Sequence, residues 1–174
     1  MALQAQKRLT QHEEVVVHRP VGRVGLGAFL AVVGVLEHER PFLFGVALGA
    51  GGARRYRLYR PAGIPFGARL PLLVMLHGCG QDANSFAAST RMNRIAMRER
   101  FLVLYPEQDR LANGQGCWNW FDTGTGRAYG EAALIMKAID QVCLLHPVDR
   151  ARVAIAGLSA GASMAALLVT RHPG

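Results

Sequence analysis

The sequence predicts an α/β fold in which a mostly parallel β-sheet carries helices on both faces. Two continuous apolar runs, at 72–76 and 101–105, are typical of strands buried on both sides. A third strand-like run, at 152–156, is followed at once by a helical pattern. Strand and helix alternate three times after Pro71, and such alternation favours parallel strands joined by helical crossovers.

The remaining elements follow from periodicity and from turn residues. Residues 42–48 and 55–60 are predicted to pair as antiparallel strands around a glycine-rich turn, with Pro61 ending the second strand. Asn84 or Ser85 is predicted to cap a helix that runs to about residue 100. Further segments are predicted as a long loop at 107–126, a helix at 130–145 and a final helix at 160–171.

Composition indicates one globular domain. The chain has 174 residues, of which 51% are hydrophobic and 18% charged, so it can bury a core and is not a disordered segment. We assign residues 41–174 to a partial catalytic domain and leave 1–40 unassigned. The apolar run at 24–36 is too short to span a bilayer as a helix. It fits a signal-peptide core, a buried strand or helix, or a start site placed too early.

The formal net charge is +8, and one tight basic group follows residue 53. Its members are Arg54, Arg55, Arg57 and Arg60, with Tyr56 and Tyr59 between them. Alternating arginine and tyrosine fits a nucleic-acid surface and also fits a half-exposed strand. Because no nucleic-acid-binding motif accompanies the group, we expect no nucleic acid as a partner and keep such binding only as a minor alternative.

The segment that carries chemistry is Gly-Leu-Ser-Ala-Gly at 157–161. A strand, a sharp turn and a helix in this order are typical of a nucleophile elbow, which lifts the Ser159 hydroxyl clear of the sheet. Gly157 and Gly161 are expected where any Cβ atom would collide with the neighbouring strand and helix. The competing interpretation is an ordinary strand-to-helix turn with a capping serine.

A second segment, His-Gly-Cys-Gly at 77–80, follows the apolar run at 72–76. A glycine-bearing loop lets backbone N–H groups point into a site, where they can bind a tetrahedral oxyanion together with the N–H of Ala160. His77 is predicted to support this loop by hydrogen bonding rather than to act as a general base.

Four motifs together resemble the polyhydroxyalkanoate (PHB) depolymerase family of α/β-hydrolase esterases, to which feruloyl and acetylxylan esterases are related. The motifs are Met-Leu-His-Gly-Cys-Gly-Gln at 75–81, Tyr-Pro-Glu-Gln at 105–108, Gly-Cys-Trp-Asn-Trp-Phe at 116–121 and the elbow at 157–161. The resemblance covers about residues 52–173. It implies an α/β-hydrolase fold and an ester substrate, and neither a cofactor nor a metal.

Carried over to this sequence, the resemblance implies that Ser159 is the nucleophile and that Cys79 and Ala160 supply oxyanion N–H groups. It also makes a Cys79–Cys117 disulfide plausible and, because the family is largely secreted, implies an extracellular or periplasmic location, with the cytoplasm as the alternative. The three cysteines, these two and Cys143, have no zinc-site spacing, and Cys143 is expected in the core. Trp118, Trp120 and Phe121 are expected either to form an apolar substrate wall or to pack back onto the core.

The sequence departs from the family where the triad acid and histidine should follow the serine. Only 15 residues follow Ser159, and none is Asp or Glu. The one later histidine, His172, lies about 20 Å along a helix from the serine. We therefore expect the acid and base beyond residue 174, and an open parallel strand edge with uncovered apolar surface that promotes aggregation.

Of the twelve carboxylates that precede the serine, four are candidates for the triad acid, but none of the four is predicted to fill that role. Asp82 and Asp122 fit turn or capping roles, whereas Glu107 and Asp109 fit a solvated loop. The leading hypothesis is thus a serine carboxylic-ester hydrolase that is inactive or weak as this chain, acting on a polyester or on a small or polysaccharide-linked ester. The alternative is a non-catalytic remnant or binding module on the same scaffold.

Overall fold

Six strands and four helices make up the part of the chain that the computed structural model describes, residues 14–19 and 42–172. The apolar run at 24–36 lies outside these residues. The strands are β1 (Glu14–Arg19), β2 (Phe42–Gly49), β3 (Gly52–Tyr59), β4 (Leu70–Leu76), β5 (Leu102–Pro106) and β6 (Val148–Leu158). The helices are α1 (Ala83–Thr90), α2 (Met92–Glu99), α3 (Arg127–Leu145) and α4 (Ala160–Arg171).

The strands form one sheet in the order β1-β6-β4-β5-β3-β2. Strand β4 is parallel to both β5 and β6, as the alternation of strands and helices predicted. The pairs β1–β6, β2–β3 and β3–β5 are antiparallel. The prediction of a mostly parallel sheet is therefore wrong for the described strands. The sheet is mixed because a short hairpin joins β2 to β3 and because β1 adds to the other edge.

The outer edge of β6 is covered over its second half. Strand β1 pairs with residues 153–158 of β6, from Glu14 opposite Leu158 to Arg19 opposite Val153. The expectation of an open strand edge is therefore wrong for this part of β6. Strand β1 was not predicted, because its Val-Val-Val run is short and lies in an otherwise polar segment.

Two apolar cores cover the two faces of the sheet, which confirms the predicted layering. Helices α3 and α4 bury one core, in which Ile135 and Met164 are completely inaccessible to solvent. Helices α1 and α2 bury the other core through Phe86, Ala87 and Ala96.

The helix predicted over about 84–100 is two helices, α1 and α2. Arg91 lies between them in a left-handed conformation with φ 54° and ψ 22°. Asp82 caps α1, not Asn84 or Ser85: its carboxylate accepts from Ser85 N–H, and the Ser85 hydroxyl accepts from Asp82 N–H. This reciprocal pair is a capping box, and it fixes where the loop after β4 ends.

Candidate active site

Ser159 stands at the junction between β6 and α4 with a strained backbone. Its φ and ψ angles are 54° and −122°. Two other non-glycine residues among those described have positive φ, Arg91 and Arg100, but both adopt the ordinary left-handed conformation that ends a helix. The Ser159 side chain is exposed, whereas its neighbour Ala160 is buried. A strained serine held out into solvent is the geometry that a nucleophile elbow requires.

Two glycines allow β6 and α4 to approach this closely. A Cβ atom on Gly157 would lie 2.4 Å from backbone atoms of Gly161, and one on Gly161 would lie 2.2 Å from Leu76 O. Backbone atoms cannot move aside as a flexible side chain can. The prediction that both positions exclude a side chain is confirmed, and the start of α4 therefore packs directly on the end of β4.

Two backbone N–H groups lie at the carboxyl ends of the neighbouring strands. Leu76 of β4 is paired with Gly157 of β6. Cys79 comes three residues after Leu76, and Ala160 comes three residues after Gly157. Ala160 is the first residue of α4, where an N–H has no partner within the helix. Among the hydrogen bonds of residues 42–172, none uses the N–H of Cys79 or of Ala160.

The N–H groups beside Cys79 are occupied, and this sets the shape of the loop. Gly78 N–H donates to Gln81 Oε1 at 3.0 Å, and Gly80 N–H donates to Gln115 O at 2.9 Å. Gln81 N–H donates back to Gly78 O at 3.3 Å. The loop is thus fixed on both sides of Cys79, so its remaining N–H has a defined direction. These observations suit an oxyanion site, in which donors must be in place before charge develops.

His77 supports this loop and is not available as a base, as predicted. Its ring is buried; Nδ1 lies 2.8 Å from Gly78 O, and Nε2 accepts from Gln108 N–H at 3.0 Å. Because Nε2 is the acceptor, Nδ1 carries the proton and donates to Gly78 O. Burial lowers the pKa of His77, an effect that the bond to Gly78 O opposes. The neutral ring is therefore a structural link between the two loops.

A disulfide between Cys79 and Cys117 joins the loop after β4 to the long loop after β5, across a sequence separation of 38. Cys143 is a buried free thiol, as expected, and burial raises its pKa to about 11.

Trp118 is part of the core and cannot form a substrate wall. Its side chain is completely buried, packs against His77 and donates from Nε1 to His77 O at 3.0 Å. The prediction of a substrate contact for Trp118 is therefore wrong. Trp120 is 42% exposed and Phe121 61% exposed, and the two rings meet edge to face. Of the three aromatic residues, these two remain available to a ligand.

None of the three histidine side chains described lies against Ser159. His77 is engaged as above, and His146 precedes β6 at the opposite end of a strand about 35 Å long. His172 follows the last residue of α4, about 20 Å from the serine along the helix. The described residues therefore bring the exposed Ser159 and the N–H groups of Cys79 and Ala160 to the carboxyl ends of neighbouring strands, with no described histidine side chain against the serine.

The four candidate carboxylates before the serine have structural roles. Asp82 caps α1, and Asp122 accepts from Thr125 Oγ1 at 2.7 Å in the loop before α3. Asp109 accepts from Leu111 N–H at 2.9 Å. Glu107 lies 3.6 Å from Arg55 and 3.8 Å from Arg57, so it forms ion pairs with the basic group rather than facing solvent alone.

An open cleft lies at the other end of the sheet. It is lined by Arg60, Arg69 and Arg150 and by the highly exposed Phe66, near the starts of β4 and β6. Ser159 stands at the carboxyl end of β6, so this cleft is not part of the same site. No group of three or more His, Cys, Asp or Glu side chains among the described residues can hold a metal ion. None of the described helices has both the length and the apolar character to cross a membrane.

Comparison with known proteins agrees with this geometry. The model of the esterase PHB depolymerase family matches residues 54–174. The chain belongs to this family. The match includes all four motifs and most of the described structure, from β3 to α4. The resemblance stated from the motifs is confirmed.

Two curated relatives of this PHB depolymerase family chain are ester-hydrolysing enzymes. Poly(3-hydroxyalkanoate) depolymerase C of Paucimonas lemoignei is 39% identical over 114 residues, which are 65% of this chain and 27% of that protein. Feruloyl esterase B of Neurospora crassa is 29% identical over 104 residues, which are 59% of this chain and 35% of that protein. The chain thus spans about a quarter to a third of the length of these relatives.

The fold is also that of solved esterase structures. An S-formylglutathione hydrolase from Agrobacterium tumefaciens superposes with a TM-score of 0.61 at 16% identity, over 81% of this chain and 57% of that chain. At this level of identity the likeness shows the fold alone. The predicted α/β-hydrolase fold is confirmed.

A buried polar network, not predicted from the sequence, lies beneath the two loops of this family member. Its members are Arg54, Gln108, Asn119 and Glu131, each at most 4% exposed. Arg54 Nη1 donates to Gln108 Oε1 and to Glu107 O. Burial lowers the pKa of Arg54, and Glu131 acts in the opposite direction.

Burial also removes Arg54 from the basic surface considered for nucleic-acid binding. Its guanidinium lies 5.2 Å from the centre of the Trp118 ring, whereas Arg55, the next residue, has a 69% exposed side chain. Buried and exposed side chains therefore alternate along β3 as in a half-exposed strand. This agrees with the strand interpretation of the basic group rather than with a nucleic-acid surface.

The position of Glu131 in the sequence of α3 indicates that its side chain is buried. On α3 it shares a helix face with Ala128, Ala132 and Ile135, all buried, so its carboxylate had to face the interior. A charged residue on an otherwise apolar helix face indicates a buried partner.

Proposed function

We propose that this chain carries the nucleophile and the oxyanion site of a serine carboxylic-ester hydrolase. The observation that carries the proposal is the strained, exposed Ser159 next to two N–H groups, of Cys79 and Ala160, that bond to nothing else among residues 42–172. Family membership supports the same reaction class.

In the proposed reaction, Ser159 Oγ attacks the ester carbonyl carbon while a general base takes the hydroxyl proton. The carbonyl oxygen becomes an oxyanion that accepts from the N–H groups of Cys79 and Ala160, and each such donor lowers the barrier by about 3–4 kcal/mol. Collapse expels the alcohol, which receives the proton, and leaves an ester on Ser159. A water molecule then releases the acid by the same steps in reverse.

We propose that the base and its orienting acid come from a part of the protein outside the described residues. A serine hydroxyl without a base is a weak nucleophile. His77, His146 and His172 are each engaged or distant, as described above. The residues described here therefore supply attack geometry and charge stabilisation, but not proton transfer.

The proposed substrate is an ester with an apolar acyl or polymer portion. The exposed rings of Trp120 and Phe121 support this, because they follow Cys117, which is bonded to the oxyanion residue Cys79. The relatives are named for poly(3-hydroxyalkanoate) and feruloyl ester hydrolysis. A polyester and an acylated polysaccharide are therefore the two classes to assay. The disulfide supports an extracellular or periplasmic location, since disulfides persist in oxidising compartments.

A fluorophosphonate probe tests the proposal, because it labels a serine only where the nucleophile is activated. We expect labelling of the full-length protein at Ser159 and loss of labelling in Ser159→Ala. The 174-residue chain alone is expected to turn over p-nitrophenyl butyrate poorly. Labelling of the full-length protein at another serine, with hydrolysis intact in Ser159→Ala, would refute the assignment of the nucleophile.

A non-catalytic binding module on the same scaffold is the second candidate. The position of the three described histidines favours it, because none of them activates Ser159. Full-length protein that is folded but neither labelled nor hydrolytic, and that still retains a polyester or acylated polysaccharide on a column, would support this candidate over the enzyme.

A further inference from the structure

We propose that Glu131 is a positioning residue that holds the oxyanion loop, residues 77–81, in its reactive shape. The proposal rests on the proposed function, since it assigns the oxyanion role to Cys79 N–H. Glu131 does not touch the reacting atoms. It acts through two chains of contacts, one through each loop that borders the site.

The Glu131 carboxylate accepts three hydrogen bonds, from two side chains and one backbone N–H that are distant in sequence. Oε1 accepts from Gln108 Nε2 at 2.8 Å and from Asn119 Nδ2 at 2.6 Å. Oε2 accepts from Asn119 N–H at 2.9 Å. The side chain is 96% buried at the start of the rigid helix α3. All three partners donate, and a carboxylate is the side chain that only accepts.

The first chain of contacts runs through Gln108. Its side chain donates to Glu131 and to Cys117 O, and its backbone N–H donates to His77 Nε2 at 3.0 Å. The opposite ring nitrogen of His77 bonds Gly78 O, in the residue before Cys79. A shift of Gln108 is thus transmitted to the peptide next to the oxyanion donor.

The second chain of contacts runs through the loop at 116–121. Glu131 fixes both the backbone and the side chain of Asn119. The preceding residue, Trp118, donates to His77 O, and Cys117 is bonded covalently to Cys79. Both chains therefore meet at His77–Cys79, from two directions. Fixing one loop from two sides is what preorganisation of an oxyanion donor requires.

The replacement Glu131→Gln separates this role from simple packing, because it keeps the size of the side chain. It replaces one accepting oxygen by a donating NH₂ group. In one orientation this group faces Asn119 N–H, and in the other it faces the side-chain NH₂ groups of Gln108 and Asn119, so a donor meets a donor in both. One of the loops must move. In the full-length protein we expect kcat for p-nitrophenyl butyrate to fall by roughly 10- to 100-fold while KM changes little, because the loss is confined to the transition state.

A trifluoromethyl ketone, which forms a tetrahedral adduct with the serine, gives the decisive readout. Its inhibition constant should rise in Glu131→Gln by the same factor by which kcat/KM falls. The matched control is Glu99→Gln, because Glu99 is exposed on α2 and, among the described residues, forms its ion pair with the adjacent Arg98. The control should leave both constants at the wild-type value. Activity is expressed per site labelled by fluorophosphonate, so that unfolded protein does not count.

Wild-type kcat/KM per labelled site in Glu131→Gln would overturn the proposal, as would a fall in kcat/KM without a matching rise in the inhibition constant. If wild-type protein is not labelled at Ser159, the proposed function fails, and the amide resonance of Cys79 then decides the present proposal by itself. A change in that resonance in Glu131→Gln, absent in Glu99→Gln, supports the positioning role. An unchanged Cys79 resonance refutes it.

Discussion

The backbone oxygen of Leu76 occupies the space that a side chain on residue 161 would need, because a Cβ atom on Gly161 would lie 2.2 Å from it. The same atom would lie 2.6 Å from His77 O. The end of β4 and the start of α4 are therefore in backbone contact, and this contact brings the loop at 77–81 beside Ser159. A substitution at Gly161 therefore tests directly whether the end of β4 and the start of α4 are in backbone contact.

Gly161→Ala should lower the free energy of unfolding by about 3 kcal/mol, since backbone must move to admit the methyl group. Urea unfolding measures the effect. The matched control is Gly130→Ala, also within a helix, where a Cβ atom would meet nothing within 4 Å. There the exchange should raise stability by up to about 1 kcal/mol through helix propensity. Equal stabilities for the two variants would contradict the backbone contact.

The backbone strain at Ser159 can be measured through two substitutions that both remove the hydroxyl. Ser159→Gly should be more stable than Ser159→Ala by about 1 kcal/mol, although glycine usually destabilises a folded chain. The reason is that φ 54° with ψ −122° is accessible to glycine but strained for alanine. Thermal and urea unfolding of the two variants test this. A Ser159→Ala variant that is the more stable of the two would show that the turn stores no strain.

The elbow could be predicted from sequence because its geometry depends on adjacent residues. Ser159 and the two flanking glycines must stand at fixed spacing, and α4 spans Ala160–Arg171 as predicted. The break between α1 and α2 could not be predicted, because an arginine rather than a glycine adopts the left-handed conformation there. Local sequence carries no signal for that choice, which tertiary packing makes.

The buried charges were harder to predict for a different reason. Arg54 bonds Gln108, 54 residues away, and Glu131 bonds Asn119, 12 residues away, so each is buried only because distant partners converge on it. The alternation of arginine and tyrosine at 54–60 predicted a strand, but it did not predict that Arg54 would lie on the buried face. Strand β1 was not predicted, because a run of three valines in a polar segment forms a strand only where a sheet edge is available to pair with it.

Removal of the disulfide should destabilise the protein and loosen the oxyanion loop together. Closing the loop between Cys79 and Cys117, which are 38 positions apart in the sequence, stabilises the fold by about 4 kcal/mol through chain entropy. The double variant Cys79→Ser, Cys117→Ser should lose about this much stability in urea unfolding under oxidising conditions. Adding dithiothreitol should destabilise the wild type and leave the double variant unaffected. A wild type insensitive to the reductant would mean that the bond contributes nothing to stability.

His77 should make stability depend on pH below neutrality. Burial lowers its pKa in the folded state, so the unfolded chain binds the proton more readily. Its contribution is complete above the unfolded pKa of about 6.5 and is lost as the pH falls through the folded value, with a slope of at most about 1.4 kcal/mol per pH unit. Protonation of His77 at Nε2 would also place an N–H group opposite Gln108 N–H, so the hydrogen bond between them would be lost.

Unfolding free energies at pH 8 and pH 5 measure this contribution, which should disappear in His77→Asn. His146 contributes with the same sign, because burial lowers its pKa as well, so the variant should keep part of the pH dependence. Titration of the His77 ring by NMR gives the folded pKa directly. A His77 pKa at or above that of an unfolded histidine would contradict the prediction.

Trp118 and Trp120 are two residues apart and should respond to alanine in opposite ways. Trp118→Ala should cost about 3–5 kcal/mol of stability, because the side chain is fully buried and bonds His77 O. Trp120→Ala should leave the free energy of unfolding within about 1 kcal/mol, since the ring is 42% exposed. If Trp120 contacts the acyl chain of the ester, its loss should raise KM for long-chain p-nitrophenyl esters more than for the acetate, because the lost contact area grows with chain length. A uniform effect on all chain lengths would mean that Trp120 shapes the loop at 116–121 rather than binding the acyl chain.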